Sequence, residues 1–389
     1  MSQEIKKKLL VVSFCMSLLY ALFYAMPLYI NSTMLGAYFD KTNISVIYTL
    51  AAVATFLFSL TLSKYIKKLH NYKLTLIILL IGFLSTFSIG FFENKYLIAS
   101  AFALHFLAGT IIFTLLNIFI EEFTAKSEEG SVRGVFLTVM NAGILISPIV
   151  SGQLLAMHGY KIVYIVSALM LIPIAFLIRH YYAHIPDPIY RNINIKNTFK
   201  QILKDKNISG VMLAHFMLNS FFTMMAIYAP LYLFQMSGIT ITQYVSVIMP
   251  FALIPFVLLP YELGYLADKK FGEKEMLLIG FSLIIICALL FPFLNTSNLF
   301  YIALFLFVSR IGAAMLETMN HTYFYKKIEV EKVSIITIFN NMQTLAYIIT
   351  PALAALVLAL TGDMRYIFIT YALLACITVY KIAKIKDTK

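Results

Sequence analysis

Tyr24-Ala25-Met26-Pro27-Leu28-Tyr29-Ile30 and Tyr228-Ala229-Pro230-Leu231-Tyr232-Leu233 are two copies of one pattern, each lying late in a long apolar run. Pro27 and Pro230 stand 203 positions apart. Pro148 and Pro351 share that separation, as do Gly159 and Gly362, and Asn117 and Asn320. A single coincidence is cheap in apolar sequence, whereas one offset that recovers four pairs signals an internal repeat.

The runs that carry the repeat are long enough to cross a bilayer. A spanning helix needs about 20 predominantly apolar residues. The sequence predicts twelve such spans, at 9–31, 43–63, 74–92, 96–120, 132–157, 161–181, 207–235, 240–262, 275–293, 298–324, 333–360 and 365–381. Composition agrees. The chain has 389 residues, 61% of them hydrophobic and 12% charged, and a mean hydropathy of +0.86. A soluble domain carries about 25% charged residues, so this chain cannot wet a globular surface of its size. Trp is absent, which leaves the 25 Tyr to supply an interfacial aromatic belt. The uncharged run from Leu9 to Phe39 exceeds the roughly 7–15 residues of a signal-peptide core, so Lys6, Lys7 and Lys8 are read as preceding a first span.

The positive charge has a topological meaning. With the N-terminus on the cytoplasmic side, 25 of the 30 Lys and Arg fall in cytoplasmic segments. Only Lys41, Lys95, Lys161 and Arg365 fall outside, and Arg310 lies within a span. That bias predicts a multi-pass protein of the cytoplasmic (inner) membrane with both termini inside. Anionic lipid accounts for the net charge of +12, so no nucleic-acid partner is expected. Cys15, Cys287 and Cys376 sit singly in apolar runs without metal-ligand spacing, so neither a metal site nor a cofactor is expected.

Six spans separate the repeat copies, so both have the same orientation. The expected architecture is an all-α membrane protein of two pseudo-symmetric six-helix bundles, related by an axis along the membrane normal. Residues 1–181 form the first bundle, 182–206 a cytoplasmic linker and 207–389 the second. The linker holds Pro186 and Pro188, then Ile195, Phe199, Ile202 and Leu203 at helical spacing with Lys196, Lys200 and Lys204 on another face. That pattern fits a short interfacial helix, and a plain basic linker stands beside it as the alternative. Two like bundles can rock against each other and open a site to alternate sides, an arrangement from which a channel gains nothing.

Short motifs resemble the major facilitator superfamily. Gly264-Tyr265-Leu266-Ala267-Asp268-Lys269-Lys270-Phe271-Gly272-Glu273-Lys274 is similar to the family's loop signature between its eighth and ninth helices. The corresponding place after the second span, Leu60-Thr61-Leu62-Ser63-Lys64, is degenerate, with Lys64 where the family has Asp. Gly143-x-x-x-Ser147-Pro148-x-x-Ser151-Gly152 is similar to the fifth-helix signature of the family's antiporters, with Ser twice in place of Gly. His105-Phe106-Leu107-Ala108-Gly109 is similar to a fourth-helix motif that has Arg where His105 stands. The resemblance implies the family fold and transport like that of its drug:proton antiporters. It implies a gating element of Gly264, Asp268 and Gly272, in which Asp268 sits against a helix N-terminus of the other half. Arg133, at the start of the fifth span, is a possible partner. Asp268→Asn is then expected to favour an inward-open state.

Ionisable groups in a bilayer cost about 2.5 kcal/mol or more, so those present are candidates for the transport path. Arg310 lies about 18 Å into the tenth span, and Glu317 is seven residues further on the same face. They belong either to the path or to a structural ion pair. His105, near mid-membrane, is either a proton-exchanging group or a satisfied interior His. His215 and Asn219 share a face, and Asn117 and Asn320 either bridge helices or line a vestibule. Tyr24 and Tyr228 join these as path candidates. Pro27, Pro148, Pro230 and Pro351 bend their helices, and Gly152 with its small neighbours allows close packing.

These readings converge on secondary active transport of a small molecule by a monomer in the lipid bilayer, with protons co- or counter-transported and no enzymatic activity. Proton-coupled efflux of small organic compounds is expected first. Uptake of a sugar, amino acid or organic anion is the nearest rival, and Arg310 would suit an anion. A polytopic enzyme or a channel forms the remaining class. No nucleotide-binding or hydrolytic motif appears in the sequence.

Overall fold

The computed structural model describes residues 3–124, 129–183, 195–294, 296–327 and 333–386. Pro186 and Pro188 lie outside these, as do the side chains of Arg133, Lys196 and Asp268. Among the described residues there is no β-strand.

The first half runs through six helices: α1 (Gln3–Leu28), α2 (Asn31–Gly36), α3 (Lys41–Phe91), α4 (Lys95–Phe123), α5 (Glu129–Leu169) and α6 (Leu171–Tyr181). The second half holds α7 (Ile195–Lys204), α8 (Lys206–Met236), α9 (Ile241–Gln243), a π-turn (Tyr244–Ile248), α10 (Met249–Leu253), α11 (Pro255–Leu258) and α12 (Pro260–Lys269). It continues with α13 (Glu273–Leu290), a 3-10 turn (Phe291–Phe293), α14 (Leu299–Lys327), α15 (Val333–Asn340), α16 (Met342–Thr361) and α17 (Arg365–Ile382).

Among the described residues, ten continuous helical segments are apolar and long enough to cross a membrane. Two of them, Lys41–Phe91 and Val135–Tyr181, run to 51 and 47 residues. At about 1.5 Å per residue each is more than twice the ~30 Å hydrocarbon core, so each supplies two spans and the total is twelve. The breaks fall where the backbone leaves helical space, at His70 (φ 65°) and Gly159 (φ 72°). Gly362 ends α16 with φ 68°. Gly159 and Gly362, paired by the 203-residue offset, therefore share a positive φ but not a ψ, which is −166° at Gly159 and 0° at Gly362, and glycine enters both regions without strain.

All four repeat prolines lie inside helices, as the sequence predicts: Pro27 in α1, Pro148 in α5, Pro230 in α8 and Pro351 in α16. The eighth span, expected at 240–262, is present as Ile241–Ala267 but is not one regular helix. Pro250, Pro255 and Pro260 each lack a backbone N–H, and the segment breaks into a π-turn and three short helices, each with Pro at its first or second position. The eleventh span also divides, at Asn341. In the linker, 195–204 is helical. Thr198 and Ile202 point inward while Phe199, Lys200, Leu203 and Lys204 are exposed.

The chain divides into two compact units: Met1–Phe39 with Leu50–Arg191, and Asp40–Thr49 with Asn192–Lys389. In the first unit α1 lies against α5 so closely that a Cβ on Gly143 would stand 2.5 Å from the Ala21 Cβ. Ser147 and Ser151 donate back to the carbonyls of Gly143 and Ser147, leaving a small apolar face, and Gly152 is buried beside them. Tyr20 donates to the Gly109 carbonyl and Ser167 to the Phe23 carbonyl, tying α1 to α4 and α5. In the second unit α13 and α14 approach at Gly280 and Gly312, where a Cβ on Gly312 would meet the Gly280 carbonyl oxygen at 2.9 Å. Large apolar side chains face outward throughout, among them Leu80, Phe176, Leu360 and Leu373, each more than half exposed. Water tolerates such a surface poorly, whereas acyl chains match it.

Candidate functional site

α14 concentrates the chemistry. Successive residues turn about 100° on a helix, so residues 7 and 11 places beyond Arg310 return to within about 20° of its direction. Arg310, Glu317 and His321 therefore form one stripe along α14. Arg310 is 2% exposed. Its guanidinium carbon lies 5.3 Å from the centroid of the Phe221 ring on α8, a cation–π contact. Its Nε and Nη1 are buried without a hydrogen-bond partner among the described residues. Glu317, half-buried, forms no ion pair with it; the described ion pairs are Lys161–Glu93, Lys326–Glu273 and Arg365–Asp363.

The other end of the stripe meets aromatic rings. His321 packs edge-on to His215 of α8 at 5.3 Å, and His215 stacks on Phe339 of α15 at 3.9 Å. Phe339 stacks in turn on Phe324. His215 Nδ1 is buried without a hydrogen-bond partner, and so are both amide heteroatoms of Asn320. Asn219 donates to the His215 carbonyl at 2.8 Å, within its own helix. A buried donor left without an acceptor costs about 1–3 kcal/mol, and a charged one more. On α8 and α14 three side chains, Arg310, Asn320 and His215, carry that cost.

The candidates of the first unit are better satisfied. His105 Nδ1 lies 2.7 Å from the Thr86 hydroxyl, with the edge of one ring on the Phe23–His105 pair at 5.4 Å. Asn117 donates to the Phe113 carbonyl at 2.9 Å. Tyr24 stacks on Tyr20. Tyr228, in the second unit, is fully buried with its hydroxyl 2.7 Å from that of Ser45.

The signature segment is more helical than a loop. Gly264 and Asp268 lie within α12, where a Cβ at Gly264 would meet nothing. Gly272 alone holds the turn, with φ 102°. Two further residues are not singled out by the sequence reading. Glu273, 1% exposed at the start of α13, pairs with Lys326 of α14. Phe221, one of 33 phenylalanines, gives no sequence signal of its place over Arg310. His321 was within reach of sequence reasoning, since the helical count that pairs Arg310 with Glu317 extends to it.

The sequence profile of the Major Facilitator Superfamily matches residues 9–329 and again residues 244–386. The chain belongs to the major facilitator superfamily. No curated protein matches it by sequence. Solved structures share its fold. A bacterial homologue of the human lysosomal transporter Spinster, inward-facing and unoccupied, superposes with a TM-score of 0.76 at 10% identity, over 98% of this chain and 97% of that one. The nucleoside transporter NupG superposes with a TM-score of 0.74 at 13% identity, over 97% of this chain and all of that one. These likenesses establish the major facilitator fold, and membership of the family supports membrane transport as the activity of this chain.

Proposed function

We propose that this chain is a proton-coupled secondary transporter that moves a small organic compound by alternating access, with both termini cytoplasmic and export as the first direction. The observation that carries the reading is the stripe on α14. Arg310 is a buried cation with unpartnered donors, and Glu317, two turns on, forms no ion pair among the described residues. Charges this deep in a membrane helix are costly, which supports a working rather than a structural role. Glu317 can take up and release a proton as the two halves alternate. The lean to export comes from the fifth-helix resemblance, Gly143 to Gly152.

Counterflow in proteoliposomes tests the reading. Labelled compounds should exchange saturably, and a pH gradient should drive one of them uphill. Ion conductance without saturable exchange would sink it. Uptake is the second reading: Arg310 suits an anion drawn inward, and a solved neighbour of the same fold is described as a nucleoside transporter. The sign of the pH gradient that drives accumulation separates the two.

A further inference from the structure

We infer that Arg310 anchors a binding site for the carboxylate of a small organic anion, and that this anion is the transported substrate. The inference rests on the transport reading and holds for either direction.

Among the described residues two charged side chains are buried, Glu273 and Arg310. Glu273 has the ammonium of Lys326 at 2.5 Å. Arg310 has no anion, and its own helix offers none in reach. Glu317 is seven residues away, about 10 Å along the axis, and is not paired with it. A buried guanidinium without a counter-charge is among the costlier features a fold can hold, so the missing partner is looked for in what binds.

The geometry states how that partner arrives. The guanidinium carbon lies over the Phe221 ring, 5.3 Å from its centroid. A ligand carboxylate is matched at the edges of the guanidinium, where the N–H donors lie in the plane and can form two parallel hydrogen bonds. Nε belongs to one such edge and Nη1 to the other, and both are unpartnered. Neither of these two donors has a hydrogen-bond partner among the described residues.

Depth selects an organic anion. Arg310 is the twelfth residue of a 29-residue helix, about 16 Å from its start and so near the middle of a ~30 Å core. Lipid headgroups lie at the ends of that span. A hydrated inorganic ion would have to shed its shell in the middle of the apolar core, whereas an organic carboxylate brings an apolar body that can meet a ring such as that of Phe221.

The test uses the full chain in detergent. Probes are acetate, butyrate, benzoate and naphthoate, each beside its neutral amide, with thermal unfolding and calorimetry as readouts. At least one acid should stabilise the protein saturably while its amide does not. Arg310→Gln should weaken that acid about tenfold or more, and Arg310→Lys less. Should Arg310→Gln fail to fold, Phe221→Leu takes its place, with a several-fold loss of affinity expected. Phosphatidylglycerol added to the micelles should leave the acid's affinity unchanged; competition by it would assign the site to a lipid and overturn the inference. Binding by no acid, equal binding by acid and amide, or undiminished binding by Arg310→Gln would overturn it too. Failure of the transport reading looks different: acid binds through Arg310, yet proteoliposomes show no exchange of it.

Discussion

Glu273 at the first turn of α13 and Lys326 in the last turn of α14 lie 2.5 Å apart, carboxylate oxygen to ammonium nitrogen. The pair is lopsided. The Glu273 side chain is 2% exposed and that of Lys326 is 43% exposed. Removing one partner is therefore unlike removing the other. Lys326→Met takes the ammonium away from a carboxylate that is 2% exposed, which costs about 2 kcal/mol. Glu273→Gln leaves an ammonium that can turn to solvent, at about 1 kcal/mol. The helix N-terminus lends Glu273 some support of its own and moderates the first figure. Denaturant titration of the two single variants and the double variant checks the order. A larger loss in Glu273→Gln than in Lys326→Met would contradict it.

Gly159 and Gly362 make a second case. Both hold φ near +70°, and around each a Cβ would meet open space. Backbone strain, not crowding, is what a side chain would suffer there. Gly362→Ala, in the left-handed helical region, should cost about 1–2 kcal/mol, and Gly159→Ala, at ψ −166° where essentially only glycine is found, about 2–3 kcal/mol. Asn, which tolerates the left-handed helical region, should cost less than Ala at Gly362 and give no such relief at Gly159. Melting temperatures of the four variants report this directly. Gly143→Ala would act through another cause, its Cβ standing 2.5 Å from that of Ala21.

The 203-residue offset made the fold legible, because a repeat is a property of spacing. It placed Pro27 with Pro230 and Gly159 with Gly362 before any contact was known. Periodicity also placed Arg310 and Glu317 on one face of α14. What it could not show was partnership. Arg310 could equally have belonged to an ion pair; that it forms none among the described residues emerges only when neighbouring helices are packed around it. Phe221 is invisible for the same reason, as one apolar letter among many. The eighth span was read as one helix although Pro250, Pro255 and Pro260 stood in the sequence, since hydropathy counts a proline as merely weakly polar and ignores its missing donor.

The short connection between α16 and α17 has its own pH signature. Arg365 donates from Nε to Asp363 at 2.7 Å and from its backbone N–H at 2.9 Å. The Arg365 side chain, then its backbone, hold the Asp363 carboxyl below its ordinary value of 3.8. A carboxyl lowered in the folded state adds stability above its unfolded value, and that stability is lost as pH falls through the folded one. Exposure limits the effect to under about 1 kcal/mol. Asp363→Asn should therefore lower the melting temperature slightly at about pH 6, and the difference should fade below about pH 4. A gap that widens on acidification would refute the assignment.

Glu317 offers the sharpest separation of chemistry from binding. Its carboxylate lies on the Arg310 stripe with no ion pair among the described residues. If it is the group that carries the proton, neutralising it should abolish coupling without abolishing exchange. Glu317→Gln keeps the size and the hydrogen-bonding capacity of the side chain but cannot bind and release a proton near neutral pH. Exchange of labelled for unlabelled substrate at equal concentrations needs no net proton movement and should persist at close to the wild-type rate. Uphill accumulation driven by a pH gradient should fall about a hundredfold, the scale on which removal of an essential proton-transfer group acts. Measured in the same proteoliposomes, the two rates give a ratio independent of how much protein is inserted. A variant that accumulates substrate as the wild type does would move the proton to another group, and His215 and His321, in edge contact at the far end of the stripe, would be the next pair to substitute.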